Sequence, residues 1–290
     1  MPSHIDELLS GHAYGVVDAT MRALVPKGVR VAPLVPRRLT GSAHLMPALI
    51  DLKSGQESAL RDLFAGTDDT GPGLKTDVVA VMLKTTIGME EVERRWNAMQ
   101  LASPDGKKFV WLRMHDPRVL HQLFRILSPA QCRHMFGRID AIRYRIDDEW
   151  LEREIGAITT RPGPGRADEA PAYRDWARIA RIGIVNRALR RAGIRDAARL
   201  DVCSGTAEEA LCRGAARYGL LEAEDLTEFA FRALVCCPGF DDDPCVAAAI
   251  RQHAASRNDS YLSDHFALIA PDVWRALREA ALPEDRRLSC

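Results

Sequence analysis

Thirteen residues, TTRPGPGRADEAP from Thr159 to Pro171, constrain this chain more than any other stretch. They hold three prolines and two glycines. Proline fixes φ and lacks an N–H, and glycine prefers turns, so neither a buried helix nor a central strand can run through them. The chain is therefore expected to divide into an α/β lobe over 1–158, a linker over 159–171 and a helical lobe over 172–290. A second stretch, AGTDDTGPG from Ala65 to Gly73, predicts a loop for the same reason.

Hydrophobic periodicity differs on the two sides of that break. Before it, short β-like runs span 13–19, 29–35, 44–52, 77–85, 108–114 and 139–146, alternating with helical stretches such as Met89 to Gln100. Pro33 and Pro47 each remove a ladder donor, so their runs are expected at a sheet edge or partly in loop. After the break the pattern is helical. Tyr173, Trp176, Ile179, Ala180 and Gly183 predict one helix over 172–192. Thr206-Ala-Glu-Glu209 reads as a capping box opening the next, and Asp243-Pro244 and Pro271 open two more. The fold class expected is an α/β lobe, with a mixed sheet flanked by helices, followed by an all-helical lobe.

Composition narrows the function. Forty basic and forty acidic residues give a formal net charge of zero, no reason to expect nucleic acid or an anionic membrane surface as partner. No apolar run is long enough to span a bilayer, and the first residues lack a basic then apolar leader; a cytoplasmic protein is expected. Seven scattered cysteines without a CxxC fit reduced, packed thiols.

The stretch WLRMHDPRVLHQLF, Trp111 to Phe124, changes from strand to helix at His115-Asp116-Pro117-Arg118. Asp116 reads as an N-cap and Pro117 as N1, where its missing N–H has no partner to lose. Ser128-Pro129-Ala130-Gln131 repeats the device as a capping box. In the strand, alternation puts Trp111 and Arg113 on one side; in the run 139–146 it puts Arg143 and Arg145 together. If those strands are neighbours, one sheet face carries an aromatic among arginines. Such a face reads either as a partner-binding surface or as a solvated face whose arginines pair with local carboxylates.

Catalytic patterns do not emerge. His115 and Asp116 are adjacent, which points their side chains apart on a strand. HExxH, GxSxG, GxxxxGK[ST] and GxGxxG do not occur. Cys236, Cys237, Cys245 and His253 match no zinc spacing, and Asp241 to Asp243 no calcium loop; the acidic run suits a helix N-terminus. No metal or cofactor is expected. An enzyme of unrecognised type, with its site at the His115-Asp116-Arg118 turn, remains the alternative, because ligands favour the carboxyl ends of strands in open α/β sheets.

Several pieces together resemble a known family. They are AYGVVDAT (13–20), Thr85-Thr86, the helix Met89 to Gln100, Pro104-Asp105-Gly106-Lys107, Phe109 to Arg113, Asp116-Pro117-Arg118-Val119-Leu120 and Met135-Phe136-Gly137-Arg138-Ile139. In this order they resemble the N-terminal domain of the type VI secretion effector chaperones, also called adaptors. The resemblance covers roughly the first half of the chain. His115 departs from it, since the family usually has an aromatic there. The resemblance implies a non-enzymatic cytoplasmic protein that binds a toxic effector and helps place it on a VgrG-type spike, with a variable helical lobe that helps select cargo. Trp111, Arg113, Arg118, Arg143 and Arg145 are the side chains expected to contact the effector, in a groove between the lobes.

Overall fold

The period-two runs ahead of the Pro/Gly stretch pair into one sheet in the computed structural model, which describes residues 9–54, 57–64, 78–102, 109–156, 173–256 and 260–280. Its strands are β1 (Tyr14–Val17), β2 (Val31–Pro33), β3 (Ala48–Asp51), β4 (Val79–Lys84), β7 (Ala141–Ile146) and β8 (Glu149–Glu154), in the order β2-β3-β1-β4-β7-β8. Every pairing among them is antiparallel. Two short strands, β5 (Leu101–Ala102) and β6 (Val110–Trp111), form a separate antiparallel ribbon.

Register fixes the faces. Gly15 lies opposite Ile50 on one side and Met82 on the other, so Val17, Ile50 and Met82 share a face with the cross-strand pair Arg143 and Glu152. Helix α1 (Glu57–Phe64) brings Leu60 and Leu63 into the cluster on that face. A side chain at Gly15 would meet the Val79 and Ile50 side chains at about 3.0 and 3.1 Å, so these would have to give way for anything larger than glycine. The opposite face carries Val16, Leu49, Val81 and Tyr144, all buried. Phe124 of α3 (Pro117–Ile126) packs on Tyr144 at 5.7 Å and on Phe136 of α4 (Pro129–Phe136) at 5.5 Å. Helix α2 (Met89–Met99) buries Met89, Val92 and Trp96, a stripe at helical spacing.

The edges follow their sequences. β2 is a three-residue edge strand ending at Pro33, as the missing donor demands. β3 begins just past Pro47, whose carbonyl accepts from Leu34 N at 2.9 Å. At the other edge four of the six residues of β8, EWLERE, are charged, which discourages pairing with a further strand.

The chain divides into two compact units, 1–179 and 180–290, and helix α5 (Tyr173–Arg191) spans the division. The expected linker at 159–171 and the loop at 65–73 lie outside the described residues.

The second unit is helical: the rest of α5, then α6 (Ala197–Tyr218), α7 (Ala223–Val235), α8 (Pro244–Ala255), α9 (Leu262–Ala267) and α10 (Pro271–Ala280). Thr206 opens no helix. Asp196 caps α6 through the Arg199 amide at 2.9 Å, and the helix runs unbroken to a left-handed cap at Gly219. Leu200, Ser204, Ala207 and Leu211 form one buried stripe through the supposed start, so Thr-x-x-Glu here is ordinary helix interior. Asp243 caps α8 as expected, accepting from Cys245 N and Val246 N. Asp241 instead is fully buried, facing Arg213 at 2.9 Å and Arg217 at 3.2 Å. An aromatic cluster forms the core: Phe229 on Phe240 at 4.9 Å, Phe240 on Phe266 at 6.1 Å and Phe266 on Trp274 at 5.4 Å.

Candidate partner-binding site

Asp116 ends the extended segment with φ −85° and ψ 114°, and its carboxylate accepts from Arg118 N at 3.0 Å. Its carbonyl accepts from Val119 N and Leu120 N. Pro117 follows at the first helical position. The side chain is thus the start of α3, and Arg118 sits in that first turn with its amide on the cap. Ser128 and Gln131 form the reciprocal capping box of α4.

Trp111 and Arg113 do not share a sheet face with Arg143 and Arg145. β6 pairs with β5, whereas β7 pairs with β4 and β8. Alternation sets which side a residue faces within its own strand, but not which strand lies next to it, and the expectation failed at that second step. Arg143 and Arg145 each carry a carboxylate. Arg143 Nε donates to Glu152 at 2.6 Å across the β7–β8 ladder, and Arg145 Nη2 donates to Asp148 at 2.9 Å.

The structure gathers a different set around Trp111. Gln100, fully buried at the end of α2, is the hub. Its carbonyl accepts from Leu112 N at 2.8 Å, and its side-chain oxygen from the Trp111 indole at 3.3 Å. Its amide donates to Leu34 O at 3.2 Å, tying the ribbon to the segment leaving β2. His115 lies against the Trp111 ring, with centroids 5.7 Å apart and planes 30° apart. It therefore occupies a ring-stacking place. The Arg113 guanidinium lies 5.8 Å from the Trp111 centroid, and that of Arg38, from the 3-10 segment Arg37–Leu45, lies 4.2 Å from the centroid of Phe109. Both distances are in the cation–π range.

His115 is tied from behind. Its side chain is 3% exposed, and its Nε2 lies 3.3 Å from the Asp18 carboxylate. Burial pushes its pKa below the ordinary histidine value, outweighing the opposing pull of Asp18. Burial would raise the pKa of Asp18, but hydrogen bonds from Thr20 and the nearby His115 and Arg113 hold it below the usual range. At neutral pH the pair is thus a neutral imidazole beside an ionised carboxylate. An imidazole this buried offers a substrate no approach. The enzyme alternative also loses its topological support, because the sheet is antiparallel and β6 lies outside it.

Sequence reasoning missed Gln100, which adjoins β5 but lies 11 residues from the indole it holds, and Asp18 and Arg38, which lie far along the chain from the ribbon. The cysteines singled out with His253 do not converge. Cys236 is buried, Cys245 is exposed, and His253 Nε2 is 2.8 Å from Asp225. Among the described residues no group of three or more His, Cys, Asp or Glu is placed to hold a metal ion, and no helix is long and apolar enough to cross a membrane.

Comparison with known proteins finds one family. Residues 34–134 match the family model described as a domain of unknown function, DUF4123, which is associated with chaperone and adaptor roles for type VI secretion effectors and is not known as an enzyme family. The matched stretch runs from Leu34 through the whole ribbon to the capped turns of α3 and α4. No curated protein and no solved structure matches the chain.

Proposed function

We propose that this chain is a cytoplasmic adaptor that binds a type VI secretion effector and helps load it onto a VgrG-type spike, without chemistry of its own. The observation that carries the reading is the family match over 34–134, the same stretch that builds the ribbon and its capped turn. The arrangement around Trp111 supports it: half-buried aromatic area beside arginine is a composition favoured in protein interfaces. On this reading Trp111, Arg113 and Arg118 are contacts, on the first unit itself. Arg143 and Arg145 serve the sheet through their carboxylates, with any partner contact secondary.

The test is affinity capture of the tagged full-length chain from the cells that encode it, with mass spectrometry of what comes along. The expected result is a toxin encoded nearby together with a VgrG-type protein. Recovery of neither, with turnover of a small molecule by the purified chain, would overturn the proposal.

A further inference from the structure

Several arginines of the first unit have a carboxylate partner. Arg94 and Arg95 both pair with Glu91, and Arg143 and Arg145 have their carboxylates across or along the β7–β8 hairpin. Arg37, Arg38 and Arg113 are exposed, and none forms an ion pair with a carboxylate among the described residues. Two of these three lie over rings instead: Arg38 over Phe109, which is 44% exposed, and Arg113 beside Trp111. Phe109 and Trp111, two residues apart at the second strand of the ribbon, project to one side of it, about 7 Å apart, and Arg113, in the turn where Met114 N donates to Leu112 O, brings its guanidinium back beside the Trp111 ring. An extended peptide presents its own alternate side chains at the same spacing.

We propose that this row is a docking strip for an acidic, extended polypeptide segment. The segment's carboxylates pair with Arg38 and Arg113, and an apolar side chain between them lies on Phe109 and Trp111. Charge complementarity selects the occupant. Guanidiniums held over rings are presented with little side-chain freedom left to lose, and their planar forks suit carboxylates. A basic or nucleic-acid partner is the less apt choice, the first for its sign and the second because the chain as a whole is neutral. The buried stack behind the strip, Gln100 on the Trp111 indole and His115 against its ring, fixes the row before anything binds. This inference rests on the adaptor reading for the identity of its partner, but not for the chemistry of the strip.

Fluorescence anisotropy on the full-length chain tests it, with a labelled peptide alternating aspartate with phenylalanine and leucine, and a second in which every aspartate is lysine. The acidic peptide should bind, more weakly as salt is raised, and the lysine peptide should not. Arg38→Glu with Arg113→Glu should weaken the acidic peptide by about tenfold or more. Arg133→Glu with Arg138→Glu, an equal charge change at two other exposed arginines, should leave it within about twofold. Circular dichroism checks that each variant folds, and the alanine pair at Arg38 and Arg113 replaces the glutamate pair if that one does not. Failure of the acidic peptide to bind, equal binding by wild type and the Arg38/Arg113 variant, or equal loss in both double variants would each overturn the strip. Captured effector that still co-purifies with the Arg38/Arg113 variant would overturn the strip and leave the adaptor reading standing. An absence of any captured effector would overturn that reading and leave the peptide result to be judged alone.

Discussion

The two units bury polar groups differently. The first buries mainly imidazoles and amides, His12, His115, His121, Gln100, Gln122 and Gln131, and its buried Asp175 accepts from the Gln131 amide. The second buries carboxylates and answers each with an arginine or an imidazole: Asp241 with Arg213 and Arg217, Glu228 with Arg191 and Arg232, Asp225 with His253. A sheet satisfies its own backbone and leaves the helices above it to be positioned by amides and imidazoles. A bundle of short helices around one aromatic cluster has no ladder to register it, and ion pairs between helices supply that register at a desolvation cost. The difference teaches that acidic pH, thiol reagents and core truncation should act on the units separately.

Core truncation should have the largest effect. Phe229→Ala removes the ring that touches Phe240 and Tyr218 and lines Gly214, and should cost about 3–5 kcal/mol. Trp96→Ala empties a fully buried site in the first unit at a similar cost. In chemical denaturation followed by circular dichroism, each should move the transition of its own unit. One transition shifted equally by both would show that the units unfold as a single body.

Helix capping gives a smaller effect. Asp116→Ala should lower stability of the first unit by about 1 kcal/mol, because the Arg118 amide loses its acceptor. Asp116→Asn should keep most of that stability, and equal losses for alanine and asparagine would mean that capping is not the role of this side chain.

Acid should distinguish the units next. His115 and His12 both have pKa values depressed chiefly by burial, with Arg143 adding to the effect at His12. Between each depressed value and the ordinary one, the unfolded chain binds more protons than the folded one. Stability from these groups is therefore complete above the ordinary histidine pKa of 6.5 and is lost as pH falls through the depressed values. His115→Tyr keeps a ring against Trp111 and should flatten part of this loss in thermal melts from pH 7.5 to 5. A melt profile unchanged by the substitution would remove His115 from the explanation.

Thiol reactivity is the finest distinction. Cys132 of the first unit is buried, which pushes its pKa up to about 11, while Cys212 and Cys245 of the second are exposed. Brief iodoacetamide treatment of the native chain at pH 7.5 should mark Cys212 and Cys245 first in peptide mapping and leave Cys132 nearly untouched.

What could be read from the sequence was local. The strands of the main sheet up to β7, the caps at Asp116, Ser128 and Asp243 and the change to helices after the Pro/Gly stretch all follow from neighbours a few residues apart. β8 escaped notice because an edge strand of mostly charged residues has no apolar alternation to detect. Thr206 misled because a capping pattern also occurs inside helices, and only the continuous stripe from Leu200 to Leu211 reveals it. For the candidate site, Trp111, Arg113 and the Asp116-Pro117 turn were legible. Arg143 and Arg145 were grouped with them because strand order depends on pairings between distant residues. Asp18 behind His115, Arg38 over Phe109 and Gln100 under Trp111 are such pairings, and no spacing rule reaches them.

The central claim is that the first unit, through the strip along 109–113, is what grips an effector. Hydrogen–deuterium exchange on the full-length chain, alone and in complex with the effector it captures, tests this most directly. The account predicts slowed exchange in peptides covering 109–115 and 37–45, with the helices after α5 changed little. Slowed exchange confined to α6 through α10, with the strip unchanged, would contradict it.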